Sequence, residues 1–448
     1  MALWIGVDDT DSLRGMCTTF LATEIIRELT RDHDLIGYPR LVRLNPSIPW
    51  KTRGNGAVCL RVGKGRGRPS SVGEIDGRPV LSYRRGDSLD SPEVLLERVV
   101  SITERWASFQ DPATNPGIVV LRERPSAELY WKAVRDVVPL ATVETWLPGR
   151  GAWRGFKNRR GLIGATAATA WRPRDPTYEI VAYRHPDCWG TRRNVDPESV
   201  LEMDASFTST FNNIDRFTAH VALAPHSPCP VLYGIRGEDP DELPSAMAAL
   251  RGERPWRWIL LESNQGTDDH IRIDDWSLAQ YSATSVEVQI VRAGRSLPGG
   301  HVIVGASGRR PLDLAFYEPS KDFRKVAAKL RPGDRIRVWG SQRDDGKSLN
   351  VEKIRVDAVA PERVRIANPV CPRCGKRMKS VGRPRSFRCP RRHARAPAEA
   401  GQWMDVAREL RLGWYEPPAF ARRHLAKPVQ RIRTERITNP AEPSDEIR

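Results

Sequence analysis

At 448 residues the chain exceeds what one hydrophobic core usually serves, so about two to four domains are expected. Lys and Arg number 72 against 55 Asp and Glu, and the resulting +17 argues for a polyanionic partner such as nucleic acid. No run of about 18 apolar residues occurs, which argues against a membrane-spanning helix, and seven cysteines, an odd number, suggest no disulfide framework.

The chain opens on a short apolar run, LWIGV at 3–7, that reads as a buried strand ending in acids. Those acids come too soon for a signal peptide, so a cytoplasmic protein is expected. Helical spacing follows from Thr18 to about Thr30, with Thr18 or Thr19 available to cap the first turn. LVRLNPSIPW at 41–50 reads as extended and runs into KTRGNGA at 51–57, ahead of a strand over 57–62. Residues 64–90, rich in Gly, Arg and Ser, read as an irregular insertion, and helices are predicted over 92–108 and 126–138. A basic glycine-rich loop from 149 turns into an Ala-rich helix by 170, and the strand TYEIVAYR follows. A polar cluster, FNNID, precedes the strand-like PVLYGIRGE, with a short helix between 240 and 255. Over 284–358 five short strands with one helix between the third and fourth give the order of an OB-fold β-barrel. Residues 371–448 carry 19 Lys and Arg against 8 Asp and Glu, an electrostatic footprint for phosphates whose binding is expected to weaken with salt.

Four constellations carry chemistry. Asp8, Asp9 and Asp11 follow the first strand, and carboxylates that close repel one another unless a cation such as magnesium neutralises them; turn capping is the plainer alternative. Gly15 to Thr18 places a flexible residue and a hydroxyl at a helix N-terminus, where free N–H groups attract phosphate. Lys51 and Arg53 supply cations, and Gly54, Asn55 and Gly56 an open backbone, for triphosphate or RNA; a tight turn with solvated charges explains the run equally well, and it is not a Walker motif. Cys371 and Cys374 form one knuckle of a zinc ribbon, with Cys389 at the spacing of the second. Arg392 stands where a fourth cysteine would be, leaving His393 as the expected fourth ligand, against a site that has lost its metal.

In this order VDDTDS, GMCTT, RLNPSIPWKTRGNGA, RGLIGA, TFNNID, VLYGIRGE and SNQGTD resemble TiaS, the archaeal tRNA(Ile) 2-agmatinylcytidine synthetase family, over nearly the whole chain. The resemblance implies a multidomain α/β and α+β protein: an N-terminal kinase-like domain over 1–135 with parts of 195–260, then a ferredoxin-like domain over 136–270. An OB-fold over 280–360, a zinc ribbon over 366–396 and a basic extension over 397–448 complete it. It also implies an ATP-dependent ligase that replaces the C2 oxygen of the wobble cytidine with agmatine, in a tRNA(Ile) with a CAU anticodon, so that AUA is read. Asp8, Asp9 and Asp11 then match magnesium and phosphoryl-transfer carboxylates, and Thr18 a threonine that becomes phosphorylated. Lys51 to Gly56 match the nucleotide or RNA cradle. Asn212, Asn213 and Asp215 are expected near the active site, with Asp215 a carboxylate for cationic agmatine or else an Asx turn. ATP, Mg2+ and a structural Zn2+ are the implied cofactors, and a monomer is expected.

Three rivals stand beside this reading. A non-catalytic RNA-binding protein accounts for the barrel and basic tail but not for the acidic N-terminal cluster. A metal-dependent phosphoesterase lacks nearby histidines, only His33 being close in sequence. A related ligase using another amine, such as lysine, keeps every motif.

Overall fold

A computed structural model describes residues 2–432 apart from 89, 217, 343–345 and 382–385; the end of the 397–448 extension lies outside the described residues. The strand Leu3–Asp8 runs antiparallel to both neighbours, Gly56–Arg66 and Gly117–Leu121. It sits inside a 13-stranded sheet that continues through Thr177–Tyr183 and Arg257–Ser263, so the two N-terminal regions share one sheet. Both the parallel pairing of Arg40–Arg43 with Arg257–Ser263 and the antiparallel pairing of Ser70–Ile75 with that strand carry the sheet across.

One face of the sheet is closed by the helices Thr18–Leu29 and Pro92–Trp106, whose Phe20, Ile25, Leu95 and Val99 pack on Ile5, Leu60 and Ile118. Glu24 anchors the first helix by pairing with the buried Arg257 at 2.5 Å. On the other face lies the Ala-rich helix Gly161–Ala170, in which nine of ten residues are buried because small side chains let it press onto the strand. The approach is backbone to backbone: a Cβ at Gly6 would fall 2.1 Å from the Ala165 carbonyl oxygen. Arginines close the far end of this helix, Arg124 Nε donating to Thr169 O at 2.9 Å and Arg172 to Ala170 O at 3.0 Å, where free carbonyls and the dipole favour cations.

Residues 64–90 correct the expectation of an irregular insertion. They form strands Ser70–Ile75, Arg78–Tyr83 and Arg85–Asp87 on the sheet, and their solvent faces are what hid them, since few positions need to be apolar. The first helix also begins at Thr18 rather than being capped by it: Cys17 is the N-cap, without a side-chain cap bond.

The barrel closes as expected for an OB order. Ala283–Ser296 pairs with Val302–Ser307 and Arg335–Gln342, and Pro311–Phe316 pairs parallel with Ser348–Ala358, which returns to Arg335–Gln342. Phe323–Lys329 is the helix between the third and fourth strands, its Phe323 and Ala327 in the barrel core. A two-stranded arm, Glu362–Ala367 with Gln402–Val406, leads out to the ribbon and back. The chain then adds Gly413–Tyr415 to the barrel edge and runs as a strap over the N-terminal regions to residue 432.

Candidate active site

Asp8, Asp9, Asp11, Thr18, Lys51, Arg53, Asn55 and Gly56 line one cleft of about 740 Å³ between the end of the first strand, the 44–56 segment and the Gly161–Ala170 helix. Asp8 is pressed against that helix, since a Cβ at Gly164 would fall 1.8 Å from its Oδ2. Burial, and then the neighbouring Asp9 charge, push Asp8 well above the usual carboxylate range. Asp9 holds a positive φ of 57°, and burial pushes its carboxyl up to about 7 against the pull of Arg160. A cation bound beside them would offset the repulsion between the two carboxylates.

Asp11 has a different partner. Its Oδ1 accepts from the backbone N–H of Thr18 at 2.6 Å and from the Thr18 hydroxyl at 2.9 Å, so a carboxylate seven residues back caps the helix and grips its first side chain. Thr18 is buried, 4 % exposed, and its hydroxyl also accepts from Thr10 Oγ1 at 3.0 Å. Arg53 donates Nε to Asp11 Oδ2 at 3.2 Å and its NH2 to Met16 O at 2.6 Å. With Asp11 turned to Thr18 and Arg53, the three aspartates share a cleft without closing into a compact ligand set; among the described residues only the ribbon gathers one.

The Lys51–Gly56 run splits. Lys51, Arg53, Asn55 and Gly56 face the cleft, whereas Gly54 faces away, where Arg43 and His424 leave no room for a side chain. Asn55, at φ 48°, donates Nδ2 to Asn45 O at 2.8 Å and so fixes the turn. Burial, and then Arg423, lower the Lys51 amine to about 8. Gly15 shapes the preceding turn, its N–H directed at Ser12 O, and lies outside the cleft lining.

Arg160 and Trp50 were missed as site residues. The Arg160 guanidinium lies 4.8 Å from the Trp50 ring centre, and its charge acts on Asp8 and Asp9. The signal was present in RRGLIGA: glycines at 161 and 164 on one helix face mark a close approach, and a cation sits just before it.

Asn212, Asn213 and Asp215, expected near the active site, are not among the residues lining the aspartate cleft. Asn212 and Asp215 line a second, wider cleft together with His220, Phe420 and Arg422. Asn212, at φ 60°, accepts from Arg422 at 2.6 Å, and Asp215 accepts from Thr218 N–H at 2.9 Å in an Asx-type turn. Asn213 turns inward, donating to Asp204 at 3.1 Å and Thr210 at 2.9 Å. The clefts are neighbours, because Arg53 reaches Ser227 at 3.3 Å and the adjacent His226 lines the second.

In the ribbon, the ligand atoms of Cys371, Cys374, Cys389 and His393 all lie within 4.8 Å of one another, which fits a tetrahedral zinc ion. Both knuckles have the same frame, since Cys371 N–H donates to Lys376 O and Cys389 N–H to Ala394 O, each at 2.9 Å. The second is tightened by Arg392 N–H bonding Cys389 O at 2.9 Å, with Arg392 at φ 62°. That turn brings His393, one position later, into the cluster in place of a fourth cysteine.

Comparison with known proteins gives this arrangement a family. Residues 4–157 match the model of the TiaS TCKD domain, 159–270 that of the TiaS FLD domain and 368–410 that of the TiaS C-terminal zinc ribbon domain. The chain is 35% identical over 441 residues to TiaS of Methanocaldococcus jannaschii, a 2-agmatinylcytidine synthetase of isoleucine tRNA, covering 96% of this chain and 99% of the relative. It is similar to the crystal structure of a TiaS complex with isoleucine tRNA and ATP at a TM-score of 0.82 and 36% identity, covering 97% of this chain and 98% of that one. To the TiaS complex with isoleucine tRNA, AMPCPP and agmatine the TM-score is 0.80 at 34% identity, over the same shares of the two chains. Full-length likeness at this identity, on matching domain models in the same order, shows that the chain belongs to the TiaS family.

Proposed function

We propose that this chain conjugates agmatine to the wobble cytidine of tRNA(Ile) at the expense of ATP, acting as a monomer on a transcript with a CAU anticodon. The observation that carries the reading is the Asp11–Thr18 grip beside the raised Asp8 and Asp9: a buried hydroxyl with a carboxylate at 2.9 Å, next to acids suited to a cation. Names and complexes of the full-length relatives support the substrates.

The C2 oxygen of cytosine leaves poorly, so ATP supplies a phosphoryl group that is passed to it. The amine of agmatine then attacks C2, a C–N bond forms, and the C–O bond breaks with oxygen departing on phosphate. Asp8 and Asp9, joined by Asp11 once it turns from Thr18 and Arg53, would hold magnesium, which would neutralise phosphate charge. Thr18 would be the hydroxyl that accepts phosphate, a reading its hydrogen bond to Asp11 supports, since that carboxylate can take the proton. Lys51, Arg53, Asn55 and Gly56 serve the phosphates, with Gly15 and Gly54 shaping the turns that hold them. Asp215, which shares the neighbouring cleft with Asn212 while Asn213 holds the turn between them, is the candidate for cationic agmatine. The wobble base is expected to leave its stack to reach the carboxylates.

The kinase-like reading of residues 1–135 with parts of 195–260, and the ferredoxin-like reading of 136–270, belong to this proposal, as do the 280–360, 366–396 and 397–448 divisions. The test is mass spectrometry of the wobble nucleoside after incubation with the CAU-bearing tRNA(Ile), ATP and agmatine, or with lysine instead. A nucleoside heavier by conjugated agmatine is expected. An unchanged nucleoside, a lysine adduct or a shortened RNA would overturn the reading, and Asp8, Asp9 and Asp11 replaced together by Asn should abolish the product.

A further inference from the structure

The strap reaches the back of the Lys51–Gly56 loop. Arg423 donates NH1 to Ser47 Oγ at 3.0 Å and NH2 to Ser341 Oγ at 2.9 Å, with its Nε 3.4 Å from Glu352 Oε1. Ser47 lies in the run leading into the loop, while Ser341 and Glu352 belong to the barrel. His424 stands behind Gly54, where a Cβ would fall 2.9 Å from its Cδ2 and 3.0 Å from its Nε2. The strap itself is held by main chain: Gly266 N–H donates to His424 O and Asp268 N–H to Leu425 O, both at 2.8 Å, with Leu425 buried against Val42, Leu44 and Tyr130.

We propose that Arg423 and His424 are positioning residues for the Lys51–Gly56 loop, so that the seating of the strap on the barrel sets how well the aspartate cleft takes the triphosphate of a nucleotide. This rests on the reading of that loop as the nucleotide cradle. Two facts make the coupling physical. Arg423 is a like charge near Lys51, held off it by two serines and Glu352, and its charge acts on the Lys51 amine after burial does. His424 is a wedge with no slack: its ring is kept neutral by the nearby Arg43 charge and by burial, and it stands where a side chain on Gly54 would fall. Movement of the strap therefore passes directly to the main chain that carries Lys51 and Arg53.

The test is tRNA-dependent ATP consumption by the full chain, read as KM and kcat. Arg423→Ala is expected to raise the KM for ATP on the order of tenfold with a smaller change in kcat, the scale on which misplacing a binding group acts. Arg423→Lys should recover much of the loss. Lys427→Ala, also on the strap but facing Asp175, should leave KM unchanged. In a Lys51→Ala background the Arg423→Ala effect should shrink, what remains being carried by Arg53. Independently, Gly54→Ala should raise KM by pushing on His424, and adding His424→Ala should relieve it. An unchanged KM in Arg423→Ala, equal effects of Arg423→Ala and Lys427→Ala, or no relief in the Gly54/His424 pair would each overturn the proposal. If Lys51→Ala alone leaves the KM for ATP untouched, it is the cradle reading that has failed.

Discussion

The zinc ribbon and the strap are both basic, yet they put their charge to opposite uses. Around the ribbon cluster, Arg373, Lys376, Lys379, Arg388, Arg391, Arg392 and Arg395 are exposed to solvent. On the strap, Arg422 pairs with Glu416 at 2.8 Å, Arg423 with Glu352, Lys427 with Asp175 at 2.8 Å, and Arg431 with both Asp175 and Glu238 at 2.9 Å. Cations without an internal partner keep their field for an outside polyanion, whereas cations matched to acids from distant segments spend it holding the chain together. Composition over 371–448 shows one basic region; among the described residues, partners divide it into exposed ribbon cations and an internal clasp.

The sharpest way to break this contrast is to remove the ribbon's metal. Among the described residues its buried core is Cys371, Met378, Phe387 and Cys389, too small to hold a fold without zinc. A Cys371→Ser, Cys374→Ser chain is expected to lose bound zinc, measured by atomic absorption, and to bind tRNA on the order of 100-fold more weakly, because the exposed cations lose their common frame. ATP binding should persist, since the strap contacts do not involve the ribbon. Equal loss of ATP binding would mean that the two basic regions are one unit.

The strap side is tested by acid. Burial alone would raise the Glu352 carboxyl, yet the charges of His270 and Arg423 hold it down to about 2 from an ordinary 4.5. A folded value below the unfolded one means that the charged form stabilises the fold. That contribution is complete above about 4.5 and is lost as pH falls towards 2. At 1.36 kcal/mol per unit it amounts to about 3 kcal/mol. Thermal unfolding of Glu352→Gln is expected to show lower stability than the parent at pH 6 and a flatter decline below 4.5. Parallel declines in the two chains would show that Glu352 does not clasp the strap.

Much of the architecture was legible because it is written in local patterns. The helix from Thr18, the alternation of the barrel strands and the cysteine spacing each follow from periodicity or ligand geometry over a few residues. The cleft was legible in part for the same reason, since Asp8, Asp9, Asp11 and Thr18 are close in the chain. What escaped was tertiary. Arg160 reaches the acids only because Gly161 and Gly164 let a helix press on Asp8, Asn212 and Asp215 line a cleft whose other wall is the strap, and the acids that neutralise the strap stand up to 256 residues away.

The smallest expected effect is also the most discriminating. Replacing Arg391 and Arg392 together by Ala removes two exposed cations beside a knuckle held by backbone bonds and metal ligands, so neither zinc content nor thermal stability should change. If each cation meets a phosphate, the slope of log affinity for tRNA against log salt should fall by about 1 to 2, with affinity several-fold weaker at low salt and nearly equal at high salt. Arg392 adds a second reading, because its φ of 62° tightens the turn that presents His393. Arg392→Gly keeps that turn and drops the charge, so it should reproduce about half the change in slope without loss of zinc. An unchanged slope in the double variant would make the ribbon's charge as internal in purpose as the strap's, and the contrast between them would fail.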